Sequence, residues 1–308
     1  MDVHLAQSSI DVLETKLVGL LTPVAGSKSA AAAEARWMLE ALLACSRAQL
    51  LMMPPAQRLS PRQAQVLTGW LAQRVLGRKP LQYILGEAPF LSSVLAVSPA
   101  VLIPRPETEG LAQLVINAFK NNSLQSCSQG LKAPSSRLCY TIADVCTGSG
   151  VLAIALKQSL GERAQVYATD LSAPALCIAR QNSEKYKLDI QFRLGNMLWA
   201  LPQDKKFDTI VCNPPYIGLD EALLPEVHWH EPAMALFSDD PLAYYRHLAY
   251  RATDFLLPGG QLWLELNAAN AQAIKTLFVT QPGWHTSDVL PDMYAMPRYL
   301  RAVRATHS

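Results

Sequence analysis

The chain has 308 residues, is 50% hydrophobic and 17% charged, and carries a formal net charge of +2, which suits one large domain and a small one with ample apolar content for a core. That charge argues neither for nor against nucleic acid, but no Lys/Arg-rich run is present,. Six cysteines are scattered without a Cys-x-x-Cys pair, so neither a metal site nor a disulfide framework is indicated, and no apolar stretch reaches the roughly 18 residues of a membrane span.

The first residues, Met1-Asp2-Val3-His4-Leu5-Ala6-Gln7, have neither the basic start nor the apolar core of a signal peptide. A reduced, cytoplasmic, soluble protein is expected. Residues 1–88 are predicted helical throughout, with 30–45 rich in Ala, Leu and Glu. Ser60-Pro61 followed by Gln63 opens a helix, Ser60 as N-cap and Pro61 at the first position. Gly77-Arg78-Lys79-Pro80 ends it. No catalytic cluster lies here, so this region is expected to position a partner or to cover an active site formed elsewhere. The alternative is an appendage that only adds stability.

Residues 89–105 form a linker, where alternation over 90–102 predicts a β-hairpin. In Pro104-Arg105-Pro106 two prolines hold the backbone extended and aim the guanidinium,. Thr108 or a neighbour is placed to cap a helix over 110–120. The polar, turn-rich run 120–137 is predicted to be a surface loop without chemistry.

From 138 onward strands and helices alternate. A strand over 138–144 leads into Asp144-Val145-Cys146-Thr147-Gly148-Ser149-Gly150, and a helix follows from 151. Glycines between strand and helix let backbone approach a nucleotide closely. A second strand over 164–169 ends in Asp170, about 20 positions beyond the glycine loop, where a carboxylate can meet ribose hydroxyls. Next come a helix capped by Ser172, strands over 190–194 and 207–212, and a helix over 241–256. The turn Pro258-Gly259-Gly260, a strand over 261–266, a helix over 268–280 and strands over 284–290 and 298–303 complete the order. This pattern predicts a doubly wound α/β sheet, whose ligands bind beyond the carboxyl ends of its strands. Cys146 to Gly150, Asp170, Asn196 with Met197, and Asn213 to Tyr216 all fall at such ends.

Asn213-Pro214-Pro215-Tyr216 carries the chemistry. Two prolines after an Asn make a stiff corner outside the ladder. That corner can hold the Asn213 side-chain oxygen and the Pro214 carbonyl as two fixed acceptors, with Tyr216 beside them. The pair suits a planar –NH2 group, either a carboxamide or an exocyclic base amine. His228 and His230 flank Trp229 but lack a carboxylate pair at metal spacing; they are expected to be loop residues, and no metal is expected. Glu265 ends a strand at the functional edge, where a structural hydrogen bond and a catalytic role are both open.

The glycine loop lacks the spacing of a dinucleotide fingerprint and the Lys-Ser/Thr of a P-loop. It resembles instead the loop of S-adenosylmethionine-dependent methyltransferases. Over nearly its whole length the chain resembles the HemK/PrmC-type release-factor glutamine methyltransferases. The specific stretches are Arg78-Lys79-Pro80-Leu81-Gln82-Tyr83-Ile84-Leu85-Gly86, the run from Val97 through Ile103-Pro104-Arg105-Pro106-Glu107-Thr108-Glu109, Asn213-Pro214-Pro215-Tyr216-Ile217, and His230-Glu231-Pro232.

The resemblance implies a seven-stranded Rossmann-like methyltransferase sheet over 106–308, with residues 1–88 docking a class 1 release factor. It implies S-adenosyl-L-methionine as cofactor, held by Cys146, Thr147, Gly148, Ser149, Gly150, Asp170, Asn196, Met197 and Asn213. Asn213, Pro214, Pro215 and Tyr216 would bind the substrate amide, and Arg105 would help close the site. Where the family carries Gly, an acidic residue and Gly, this chain has Cys146, Asn196 and Asn267. Near the C-terminus it keeps Asp292 and Arg298 without the Gly-Arg-Asp between them. The expected product is a methylated Gln of the Gly-Gly-Gln motif. The expected state is a monomer without membrane or direct nucleic-acid contact. A DNA adenine-N6 methyltransferase, a methyltransferase for another protein glutamine, and a non-catalytic cofactor-binding module remain alternatives.

Overall fold

A computed structural model describes residues 8–54, 56–128 and 139–306. The chain divides into two compact units, one of Met1–Gly86 with Leu223–His230, the other of Glu87–Ala222 with Glu231–Ser308.

The first unit contains α1 (Ile10–Ala25), α2 (Lys28–Leu43), α3 (Arg47–Leu51), α4 (Pro61–Leu71) and α5 (Leu81–Leu85). Serines start three of these helices, α2, α3 and α4, by accepting orphan backbone N–H groups,. Ser27 accepts from Ala30 N, while Ser46 and Ser60 each form a reciprocal capping box with Gln49 and Gln63,. Leu13, Leu17 and Leu21 recur every fourth residue of α1 and are fully buried with Met38, Leu39, Leu67 and Leu71,. α4 runs into a π turn, Ala72–Leu76, that carries Arg74 inward. Arg74 grips Glu34 with Nε and Nη2 at 2.8 and 2.9 Å. Glu226 from the inserted segment accepts from Arg78 Nη2 at 2.8 Å.

The second unit opens with a hairpin, β1 (Glu87–Phe90) and β2 (Ser93–Ala96), then α6 (Pro106–Ser128). The hairpin is shorter than the alternation over 90–102 predicts. After Val97 the chain turns at Ser98-Pro99, where Val101 N bonds Ser98 O at 3.0 Å, because proline cannot continue the ladder. α6 begins four residues earlier than expected and runs to 128, so 121–128 is helix rather than loop. Pro106 favours that early start, its fixed φ suiting the first helical position. The rest of the predicted loop, 129–137, lies outside the described residues.

The sheet then follows: β3 (Tyr140–Val145), α7 (Val151–Leu160), β4 (Ala164–Asp170), α8 (Ala173–Lys185), β5 (Ile190–Leu194) and β6 (Phe207–Cys212). A two-stranded parallel patch, β7 (Ile217–Gly218) and β8 (Phe237–Ser238), flanks the short helices α9 (Pro225–His230) and α10 (Ala233–Leu236). Next come α11 (Ala243–Arg251), β9 (Leu256–Glu265), α12 (Ala271–Thr280), β10 (Trp284–Pro291) and β11 (Pro297–Arg304). Strand order is β10-β11-β9-β6-β3-β4-β5. β11 is antiparallel to β9 and β10, and the other pairs are parallel. The predicted seven-stranded doubly wound sheet is therefore present.

Pro258-Gly259-Gly260 is not a free turn but part of β9, in a bulge between the Phe207–Leu256 and Thr209–Gln261 pairs,. A Cβ on Gly260 would sit 2.8 Å from Leu257 O and 3.1 Å from Phe207 O, so backbone packing demands glycine there. Two apolar clusters cover the sheet. One gathers Phe207, Tyr245, Leu248, Leu262 and Phe278, the other Leu111, Val115, Leu156, Val166 and Trp263. Chain order reverses between β3 and β6, which makes their carboxyl ends the switch point where ligands settle.

Candidate active site

At the end of β3 the Asp144 carboxylate is fully buried. Its Oδ2 accepts from Thr147 Oγ1 at 2.5 Å and from Ala153 N at 3.0 Å, tying the glycine loop to the first turn of α7. Burial pushes this carboxyl up to about 7, against the pull of those two bonds,. Cys146, Gly148 and Gly150 all have positive φ, at 60°, 57° and 86°. A Cβ on Gly148 would meet open space, so that position is glycine for its backbone angle and for ligand access. Gly150 is tighter, with Ala179 Cβ and Ile154 Cδ1 both 3.2 Å from an added Cβ. The buried Asn182 of α8 bonds Ser149 O at 3.0 Å and both backbone groups of Ala96, so the hairpin buttresses the loop.

Asp170 stands one strand over. Its Oδ2 accepts from Gly148 N and its Oδ1 from Ser172 N, each at 2.8 Å. Burial nonetheless raises this carboxyl. Beyond β5, Asn196 precedes a 3-10 turn whose first residue, Met197, is buried with φ 49°. Met197 Sδ lies 3.4 Å from Cys146 Sγ. A cavity of about 280 Å³ opens here, lined by Cys146, Thr147, Gly148, Ser149, Asp170, Asn196, Met197, Asn213 and Pro215. Val101, Leu102, Leu171, Met234 and Tyr244 supply its apolar wall. Few polar groups among apolar walls fit a nucleoside-bearing ligand. Among the lining residues, Asp170 and the bare Gly148 backbone are groups that could hold its ribose and sulfur-bearing chain.

Asn213 follows β6 with Nδ2 donating to Thr108 Oγ1 at 3.1 Å. Thr108 Oγ1 donates in turn to Glu265 Oε2 at 2.8 Å. Tyr216 Oη donates to Glu265 Oε1 at 3.1 Å. Burial drives the Tyr216 hydroxyl well above its ordinary range, so it remains a donor. Glu265 is buried, and that burial pushes its carboxyl up to about 7, opposed by the two hydroxyl bonds and by Arg298. Pro214 is buried in the corner, while Asn213 and Pro215 face the cavity.

Two sequence expectations need correction. Thr108 does not cap α6: Arg105 O accepts from Thr108 N and Glu109 N, and the Thr108 side chain turns inward to Glu265. His228 and His230 lie on α9 rather than in a loop, and His230 Nε2 meets Gly77 O at 2.8 Å. Glu231 shows why the stretches around Arg105 and Glu231 belong together. Its buried carboxylate accepts from Arg105 Nη2 at 2.5 Å and from Ile103 N at 3.0 Å. The sequence signal for Glu265 is a carboxylate between Leu264 and Leu266 at a strand end, a position that burial makes costly unless it is bonded.

Residues 25–86 match the PrmC N-terminal domain and residues 118–224 the Methyltransferase small domain. The release factor glutamine methyltransferase of Streptomyces coelicolor is 36% identical over 233 residues, 74% of this chain and 77% of that one. Its namesake from Moorella thermoacetica is 39% identical, covering 73% of this chain and 75% of its own. That of Deinococcus radiodurans is 35% identical, covering 88% of this chain and 91% of its own.

Proposed function

The chain belongs to the release factor glutamine methyltransferase family, and on that premise we propose that Asn213-Pro214-Pro215-Tyr216 orients the side-chain amide of the Gly-Gly-Gln glutamine of a class 1 release factor. The protein is an S-adenosylmethionine-dependent methyltransferase. When bound, the cofactor supplies an electrophilic methyl group. Asp170, the backbone of Thr147 to Gly150, Cys146, Asn196 and Met197 are the groups that would hold it.

A carboxamide nitrogen is a poor nucleophile because its lone pair is delocalised into the carbonyl. Asn213 Oδ1 and the Pro214 carbonyl each accept one of its N–H bonds, which turns the lone pair toward the methyl donor. The reaction would then be a direct displacement helped by positioning and by fixed dipoles, with no covalent enzyme intermediate. The nitrogen–methyl bond would form as the donor's sulfur–methyl bond breaks, the electron pair would leave with sulfur as a neutral thioether, and the methylated amide would release one N–H proton to water. The observation that carries this reading is the commitment of Asn213 Nδ2 to Thr108, which frees Oδ1 to accept. Tyr216 holds the far end of the corner through Glu265.

Residues 1–88 are proposed to dock the release factor and 89–105 to link them to the 106–308 catalytic region. Among the described residues no helix is long and apolar enough to cross a membrane. A cytoplasmic monomer acting without direct nucleic-acid contact is proposed. The test is the intact mass of a Gly-Gly-Gln peptide after incubation with enzyme and S-adenosylmethionine. One added methyl on Gln, abolished by Asn213→Ala, is expected. An unshifted mass with cofactor bound would send the search to another amide.

A further inference from the structure

Glu265 lies 1% exposed at the carboxyl end of β9 and receives a hydroxyl on each oxygen, Thr108 at 2.8 Å and Tyr216 at 3.1 Å. A carboxylate only accepts, so each hydroxyl must direct its single proton to Glu265. Thr108 Oγ1 is then left with lone pairs alone toward Asn213, 3.1 Å away. Only the NH2 end of the Asn213 carboxamide can meet it. The reversed orientation would set two acceptors face to face without a proton between them.

We infer that Glu265 and Thr108 are positioning residues that decide which atom of the Asn213 carboxamide meets the substrate. The inference rests on the proposed role of Asn213 as an acceptor for the target amide. Asn and its flipped form differ only in which end carries the donors, so shape cannot choose between them. A one-way chain of hydrogen bonds can: Asn213 to Thr108, Thr108 to Glu265. The same carboxylate holds Tyr216, so one residue anchors both ends of the proline corner. Thr108 stands 157 positions from Glu265 and 105 from Asn213. The chain therefore exists only once α6, β6 and β9 are assembled.

The experiment compares the full-length protein with Thr108→Val, Thr108→Ser and Glu265→Gln on the Gly-Gly-Gln peptide. It measures kcat, KM and cofactor Kd. Valine keeps the shape of threonine and removes the hydroxyl; serine restores it. Glutamine offers one acceptor instead of two, so one hydroxyl must reverse. Thr108→Val and Glu265→Gln should each lower kcat by about 10- to 100-fold, the weight of an unmade buried hydrogen bond, with KM and cofactor Kd changed less than about threefold. Thr108→Ser should recover most of that loss. The double variant should fall no further than the weaker single one, because both break the same chain.

A wild-type kcat in Thr108→Val, losses that multiply, or a loss confined to cofactor Kd would overturn the inference. Should Glu265→Gln fail to fold, the Val/Ser pair decides alone. An activity-free readout separates this inference from the substrate reading. In the protein without peptide, the Asn213 side-chain amide proton resonances, assigned by their loss in Asn213→Ala, should shift in Thr108→Val and return in Thr108→Ser. Resonances unmoved by Thr108→Val would sink the relay whatever the substrate. If the variants show these shifts while the wild-type protein leaves the peptide unmethylated, the substrate reading falls instead and the relay stands.

Discussion

Replacing Gly110 with alanine sets two opposed effects against each other in one helix turn. Gly110 lies inside α6, where alanine is favoured over glycine by about 1 kcal/mol. A Cβ there would stand 2.2 Å from Tyr299 Oη and 3.0 Å from its Cζ. The Tyr299 ring is 3% exposed, and its hydroxyl donates to Glu107 O at 2.8 Å. It cannot swing into solvent. Overpacking of this kind costs about 1–3 kcal/mol, and displacing the hydroxyl loses a hydrogen bond of about 0.5–1.5 kcal/mol. The clash wins, and Gly110→Ala should destabilise the protein by about 1–3 kcal/mol. Chemical denaturation of Gly110→Ala, Tyr299→Phe and the double variant measures it. Removing the hydroxyl removes the closest contact, so alanine should cost at least about 1 kcal/mol less in the Phe background. A stabilised Gly110→Ala, or an equal cost in both backgrounds, would refute the reasoning. Because Tyr299 is the ladder partner of Glu265 and α6 carries Thr108, methyl transfer should decline with stability and recover with it.

Asp170→Asn leaves one acceptor for two backbone N–H groups, so the loop at Gly148 loosens; calorimetry should show S-adenosylmethionine binding about 10- to 100-fold weaker, and a Kd within twofold of wild type would refute the role. Cys146 holds a left-handed φ that costs a side-chain residue about 1–2 kcal/mol. Cys146→Gly should melt within about 1 kcal/mol of wild type, since relief is offset by a freer unfolded chain. Cys146→Val should lose more than about 1 kcal/mol, because a branched Cβ fits that φ worst; a Val variant as stable as Gly would contradict this. Glu265 is pushed by burial from 4.5 to about 7. It is faced by Thr108 and Glu107 from α6, Tyr216 from the corner, Tyr245 from α11, and Arg298 and Tyr299 from β11. Protonated, it can no longer accept from both hydroxyls, so kcat should fall as pH drops through about 7, and Glu265→Gln should flatten that limb. Stability runs the other way. Between 4.5 and about 7 the folded state holds a proton that the unfolded chain releases, so this residue's contribution is lost as pH rises.

Much of this architecture is legible in local chemistry alone. Ser60-Pro61 with Gln63 is a complete helix start in four residues, and the cap formed as the residue types require. The glycine loop, Asp170 and the proline corner are legible because α/β topology sends the carboxyl ends of its parallel strands to one edge,. What could not be read is what depends on distant partners. Thr108 looked like a cap because threonine before an apolar run usually is one; only β9 packing beside α6 turns its hydroxyl to Glu265. Gly259-Gly260 looked like a turn because local preference cannot see Phe207 O pressing on the backbone. Likewise nothing within 223–230 signals that Glu226 will sit 2.8 Å from Arg78, 148 positions earlier.

That inserted segment bears on how the protein can be taken apart. The helical unit is discontinuous, built from Met1–Gly86 and Leu223–His230, so no single cut isolates it. A fragment ending at Gly86 would leave Arg78 without its carboxylate and Gly77 O without the His230 ring. Exchange of this unit between relatives must carry both pieces, and a graft that moves only the first would pair one protein's arginines with another's acid. The charge pair at Glu226 thus makes the two stretches a single structural block, despite the 136 residues of sheet unit that separate them between Glu87 and Ala222.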